Sequence, residues 1–135
     1  MGGYILNPFT GLPDMVSGNL SRISASTTTA NATPATIASI PLDEGVVVFI
    51  EAIVTGTKSD QSSVGCAVIS GLFYRATGGD VTQQGGTEDR SVQLSGTWDV
   101  TYSADTVNQE VDIVVTGAAA TAITWKADVS YMVIG

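Results

Sequence analysis

From residue 123 to residue 131, apolar and polar side chains alternate without a break. Ile123, Trp125, Ala127, Val129, Tyr131 and Val133 share one parity, and Thr124, Lys126, Asp128 and Ser130 the other. Successive side chains of a strand point to opposite faces, so this pattern specifies a strand with one buried and one wet face. Residues 91–103 read the same way, with Val92, Leu94, Gly96, Trp98, Val100 and Tyr102 on one side and Gln93, Ser95, Thr97, Asp99 and Thr101 on the other. Between them, Val111, Ile113 and Val115 alternate with Glu110, Asp112 and Val114. No stretch carries the period of an amphipathic helix of three turns.

Two further runs break the alternation in an informative way. Residues 45–54, GVVVFIEAIV, are apolar at both parities except at Glu51, and residues 66–74, CAVISGLFY, nearly so. A strand that is apolar on both faces must be covered on both. One cover is the partner sheet of a sandwich. With no helix to supply the second, another subunit is expected there, and Val47, Phe49, Glu51, Ile53 and Phe73 are the expected interface residues. Short strands near 36–40 and 81–84 bring the count to seven or eight, separated by turn residues such as Asp43-Glu44-Gly45, Gly78-Gly79-Asp80 and Ala104-Asp105. The expected fold is all-β: an antiparallel, jelly-roll-like β-sandwich over residues 37–135, preceded by an extended N-terminal arm and linker over residues 1–36.

The composition agrees. Thirteen Ser and seventeen Thr do much of the covering that charges do elsewhere, since only 13% of residues are charged. The net charge is −8, and the five basic residues are scattered. A phosphate backbone or an anionic membrane surface needs a basic stripe, so neither is an expected partner. The N-terminus lacks a basic leader and no segment approaches the ~20 apolar residues of a membrane span, so synthesis in a cytoplasm is expected. Within residues 1–19, Tyr4, Ile5, Leu6, Phe9, Leu12, Met15 and Val16 stand out as anchors. Residues 20–36, LSRISASTTTANATPAT, read as a Ser/Thr/Ala linker broken by Pro34.

Candidate chemistry is sparse. The chain has no histidine and a single cysteine, Cys66, in an apolar stretch, so it contains neither a Cys–His pair nor an intramolecular disulfide. Asp99, Asp112 and Asp128 fall at outward positions. Asp43-Glu44 and Glu88-Asp89-Arg90 lack the alternating ligands of a calcium loop. Glu51, a charge inside an apolar run, has two readings: a pairing with Arg75 or Lys126 or exposure in a channel, or a ring of carboxylates around an oligomer axis that binds a cation. Trp98 and Trp125 read as core rather than as a sugar-stacking platform, and Tyr74 and Tyr102 as the aromatics that keep a wet hydroxyl. The expectation is no catalytic residue, no cofactor and no metal: not an enzyme.

Two segments carry a resemblance. Asn7-Pro8-Phe9-Thr10-Gly11-Leu12-Pro13-Asp14-Met15-Val16 resembles the opening of small tailed-bacteriophage structural proteins, with Pro13 where that pattern has Leu or Phe. Residues 45–133, most specifically WDVT, SADT, VTGAA and the following Ile-Thr-Trp, look like the β-sandwich domains at the ends of phage tail and capsid-surface proteins. Between them they span roughly three-quarters of the chain. The resemblance implies a virion structural protein with a jelly-roll-like head, commonly trimeric, and an arm used for attachment. The function expected from this is a capsid decoration (cement) protein at the capsid surface. Its partners would be its own copies in a homotrimer and the major capsid protein or another virion protein. The alternative is a tail or fibre tip module, or an adhesin, that binds host cell-surface glycan.

Overall fold

The computed structural model describes residues 4–6, 13–15 and 20–134. Among the described residues ten strands run in chain order: β1 (Tyr4–Leu6), β2 (Pro13–Met15), β3 (Leu20–Thr29), β4 (Ala35–Pro41), β5 (Val46–Lys58), β6 (Val64–Arg75), β7 (Val81–Asp89), β8 (Asp99–Asp105), β9 (Glu110–Thr116) and β10 (Ile123–Val133). Among the described residues there is no helix. β1 and β2 pair with each other. The other eight strands form two sheets, one of five strands in the order β3-β10-β5-β6-β7 and one of three in the order β4-β9-β8. Every pairing is antiparallel, which is the sandwich expected from the alternation.

The core fills the space between the sheets. Val48, Ile50, Ala52 and Val54 of β5 and Trp125 and Val129 of β10 face Val111, Ile113 and Val115 of β9, all of them buried. Trp98 and Trp125 meet edge to face at 5.5 Å, and the Trp125 indole Nε1–H donates to Thr29 Oγ1 at 2.9 Å. Both tryptophans are core, as their parity implied. Gly56 makes room for this anchor: a Cβ there would sit 2.7 Å from the Trp125 ring.

Three local expectations are corrected. The 20–36 linker is mostly strand: β3 pairs with β10 over ten consecutive positions, from Ile123↔Thr29 to Met132↔Leu20. Its Ser and Thr side chains suit a sheet edge, where the β-branched threonines fit the pleat and little apolar surface is needed. The single strand over 91–103 does not form either. β7 belongs to the five-stranded sheet and β8 to the three-stranded one, so the chain must cross between them. It does so through residues 90–98, where Cys66 and Gln93 form an isolated bridge and Gly96 adopts a φ of +56°. The alternation therefore does not define one face there, and Val92 is exposed while Trp98 is buried.

Tyr102 is the third correction. Its hydroxyl lies inside, donating to the Ile69 carbonyl at 2.8 Å, with the Ile50 carbonyl at 3.2 Å. A register shift between Ser70 and Leu72 interrupts the β6–β7 ladder beside this point. The ring packs edge to face on Phe73 at 5.3 Å. Burial, and then the nearby Glu51 carboxylate, push the phenol well above its ordinary pKa.

Candidate interaction face

The five-stranded sheet has a second face, turned away from the core. Its composition follows from the register. Phe49 of β5 lies between Met132 of β10 and Leu72 of β6, and Met132 in turn faces Leu20 of β3. This makes an apolar row across four strands. Ile53 and Val68 are paired four residues further along, and Thr57 and Val64 at the far end. Of the large apolar side chains left exposed among the described residues, Leu20 (57%), Phe49 (42%), Ile53 (43%), Val64 (53%) and Met132 (43%) all project from this face. Ile134 continues the parity of Met132, and its N–H bonds the Val47 carbonyl. Large apolar surface scattered singly is ordinary, but a contiguous patch marks a site of association.

Between these residues lies a second row: Arg22, Ser130, Glu51, Ser70 and Glu88, one from each strand. Glu51 accepts from Arg90, at 2.7 Å, and Arg90 also approaches Glu88 at 3.7 Å. The partner of Glu51 is thus Arg90, not Arg75 or Lys126. Arg75 is used elsewhere, donating to the carbonyls of Gly79 and Leu42 and so tying two turns together. Lys126 pairs in register with Thr55, two rows away from Glu51. Arg22 forms a two-pronged pair with Asp128, Nε to Oδ1 at 2.7 Å, which holds the Asp128 carboxyl below its ordinary range. A shallow depression of about 500 Å³ lies beside it, lined by Ser24, Ser26, Ile53, Thr55, Lys126 and Asp128 among others.

Of the expected interface residues, Val47, Phe49, Glu51 and Ile53 lie together on this face. Phe73 does not. It pairs with Val48, on the core side of the sheet, and is fully buried within the chain. Leu20, Leu72, Met132 and the charged residues Arg22, Glu88 and Arg90 complete the face and were not singled out from sequence. Met132 alone offered a signal there, as an apolar residue at the polar parity of the last strand. Of the expected arm anchors, Tyr4, Ile5 and Leu6 fall in β1 and Met15 in β2, while Phe9, Leu12 and Val16 lie outside the described residues.

A separate acidic group sits at the β8–β9 turn. Asp105, Glu110 and Asp112 bring carboxylate oxygens within 4.8 Å of one another. Ser39 donates to Asp112 at 2.7 Å. Hydrogen bonding to Asp112 holds the Glu110 carboxyl above its ordinary value, while Asn108 N–H donors hold Asp105 below its own.

No family model and no curated protein matches the chain. Among the solved structures similar to it are three phage tailspike proteins. That of Acinetobacter baumannii phage AM24 is 11% identical with a TM-score of 0.41, the match covering 84% of this chain and 26% of that one. The tailspike gp49 from Acinetobacter baumannii bacteriophage Fri1 is 11% identical with a TM-score of 0.45, over 97% of this chain and 21% of that one. That of Acinetobacter phage vB_ApiP_P1 is 16% identical with a TM-score of 0.33, over 87% of this chain and 21% of that one. The chain thus spans about a quarter or less of the length of these structures. The expectation that the chain is not an enzyme is corrected at this point, because the Fri1 tailspike is described as a capsular polysaccharide depolymerase. Cleavage of a glycosidic bond can run on two carboxyl groups alone. A chain without histidine therefore excludes less chemistry than its composition suggested.

Proposed function

We propose that the chain is a structural module of a phage particle: a capsid decoration protein whose heads associate as a homotrimer and whose N-terminal residues hold neighbouring capsid subunits. The observation that carries this reading is the gathering of exposed apolar side chains on one face of a sandwich whose core is already complete on the other. Covering such a face in an assembly adds buried apolar area, at about 25 cal/mol per Å² before the costs of ordering. The resemblance of residues 7–16 to the opening of small tailed-bacteriophage structural proteins, and of residues 45–133 to phage tail and capsid-surface domains, supports a place on the particle.

The test is labelling of particles that lack the chain. Purified protein should bind them at stoichiometric occupancy, and a variant lacking residues 1–19 should remain folded but fail to bind. Normal labelling by the truncated protein would refute the anchoring role. A second reading, a tail or fibre tip module that binds glycan, draws on the depression lined by Ser24, Ser26, Thr55, Lys126 and Asp128, whose hydroxyls and charges surround a small apolar floor. Trp98 and Trp125, being core, offer it no stacking surface. Localisation of the bound chain on tails rather than capsids, by labelling in electron micrographs, would favour this second reading.

A further inference from the structure

The charges of the chain are distributed unevenly over its surface. The outward face of the five-stranded sheet carries three basic groups, Arg22, Arg90 and Lys126, and three acidic ones, Glu51, Glu88 and Asp128. It is neutral, so the whole net charge of −8 resides on the rest of the chain. Copies of so acidic a protein repel one another in most orientations. They meet without that penalty through this face, which also holds the apolar row Leu20–Met132–Phe49–Leu72. The neutral surface and the apolar surface coincide.

In the row Arg22–Ser130–Glu51–Ser70–Glu88, the β3 end carries the Arg22–Asp128 pair and the β7 end carries Glu88 beside Arg90. β3 and β7 are the two edges of the sheet, and β5 is its central strand. A ring of copies about an axis is heterologous, so it sets the β3 edge of one copy, with its Arg22–Asp128 pair, beside the β7 edge of the next, with Glu88 and Arg90. The size also suits. Five strands at ~4.8 Å spacing and about ten residues at ~3.3 Å rise make a face of about 800 Å², the share each partner contributes to a standard interface.

The geometry points to a second copy of this chain as the occupant: three copies turn β5 toward a common threefold axis, with Phe49, Glu51 and Ile53 lining it and the β3 edge of each beside the β7 edge of the next. This rests on the homotrimer proposed above and gives that trimer its interface. Glu51 enters the axis already paired with Arg90, so each copy brings its own counter-charge and no unpaired carboxylate is buried.

The experiment uses the full chain in two forms. Sedimentation of the wild type and of Phe49→Asp gives the oligomeric state, with circular dichroism to show that the variant, altered at a half-exposed side chain, keeps its strands. The second form carries Arg22→Cys and Glu88→Cys together with Cys66→Ala, and is oxidised and run on a denaturing gel. The inference expects a trimeric wild type, a monomeric Phe49→Asp and a covalent ladder ending at three chains that needs both cysteines. A monomeric or dimeric wild type, a Phe49→Asp chain that still forms trimers, or a cysteine pair that yields no interchain bond would overturn it. Particle labelling is scored on the same samples: a monomeric wild type that still decorates particles sinks this interface and spares the virion role, whereas a trimer that ignores particles does the reverse.

Discussion

Replacing Thr29 by Val removes one oxygen from the interior and little else. Thr29 closes β3, is buried, and accepts the hydrogen bond from the Trp125 indole at 2.9 Å. Valine has the same shape but cannot accept, so the indole N–H is left unpaired in the core. A buried donor without a partner costs about 1–3 kcal/mol, so a loss of about 2 kcal/mol is expected. For a chain of this size that lowers Tm by roughly 6–8 °C. Thr29→Ser is the control, because it keeps the oxygen and loses a methyl, at about 1 kcal/mol. Urea titration followed by tryptophan fluorescence measures both, since Trp98 and Trp125 are the only tryptophans and both are buried. Protein concentration must be held fixed, because association adds to apparent stability. If Thr29→Val matched the wild type, or cost no more than Thr29→Ser, β3 would not be bound into the sandwich as described and the linker reading of residues 20–36 would return.

Three other outcomes follow from the packing and the charges. Phe73→Ala should cost about 3–5 kcal/mol in urea titration, since Phe73 is fully buried against Tyr102; a cost below about 1 kcal/mol would place it on the outward face after all. Gly56→Ala should destabilise by about 1–3 kcal/mol and shift the tryptophan emission, because the new methyl meets the Trp125 ring at 2.7 Å; an unchanged spectrum would contradict the packing. Glu110 is held above its ordinary value by Asp112, so its contribution to stability is present below the unfolded carboxyl range and is lost as pH rises through the raised value. Asp112→Asn should therefore raise Tm more at pH 7 than near pH 3.5, where Glu110 keeps its proton; the reverse order in thermal melts would refute the coupling of the two groups.

The last strand was legible because apolar and polar residues alternate from Ile123 to Tyr131, with Val133 at the same parity, and the structure returns a strand from Ile123 to Val133. β5 was legible as apolar on both faces, and one of its faces is core while Phe49 and Ile53 of the other are exposed. β3 was hidden for a physical reason. An edge strand over a smaller sheet buries little, so Ser24, Ala25 and Ser26 satisfy it without a hydrophobic signature. Its one clue was the run of β-branched threonines at 27–29. Phe73 was misplaced because its run is apolar at both parities, and only pairing with Val48 reveals which face it takes. Arg90 lies 39 positions from Glu51 and reaches it only because residues following β7 run back along β6, which no local pattern encodes. The neutrality of the outward face is likewise a property of register, invisible in a composition that is acidic throughout.

The claim on which the rest depends is that the outward face of the five-stranded sheet is covered in the working protein. Met132 lies in the middle of its apolar row, half-exposed in a single chain, and its thioether reacts readily with peroxide when wet. Peroxide oxidation read by mass spectrometry, at high and low concentrations of the native chain, measures that cover directly. Slow oxidation of Met132 in concentrated protein and fast oxidation on dilution is the predicted result. Equal, rapid oxidation at both concentrations would show the face open to water and contradict the assembly.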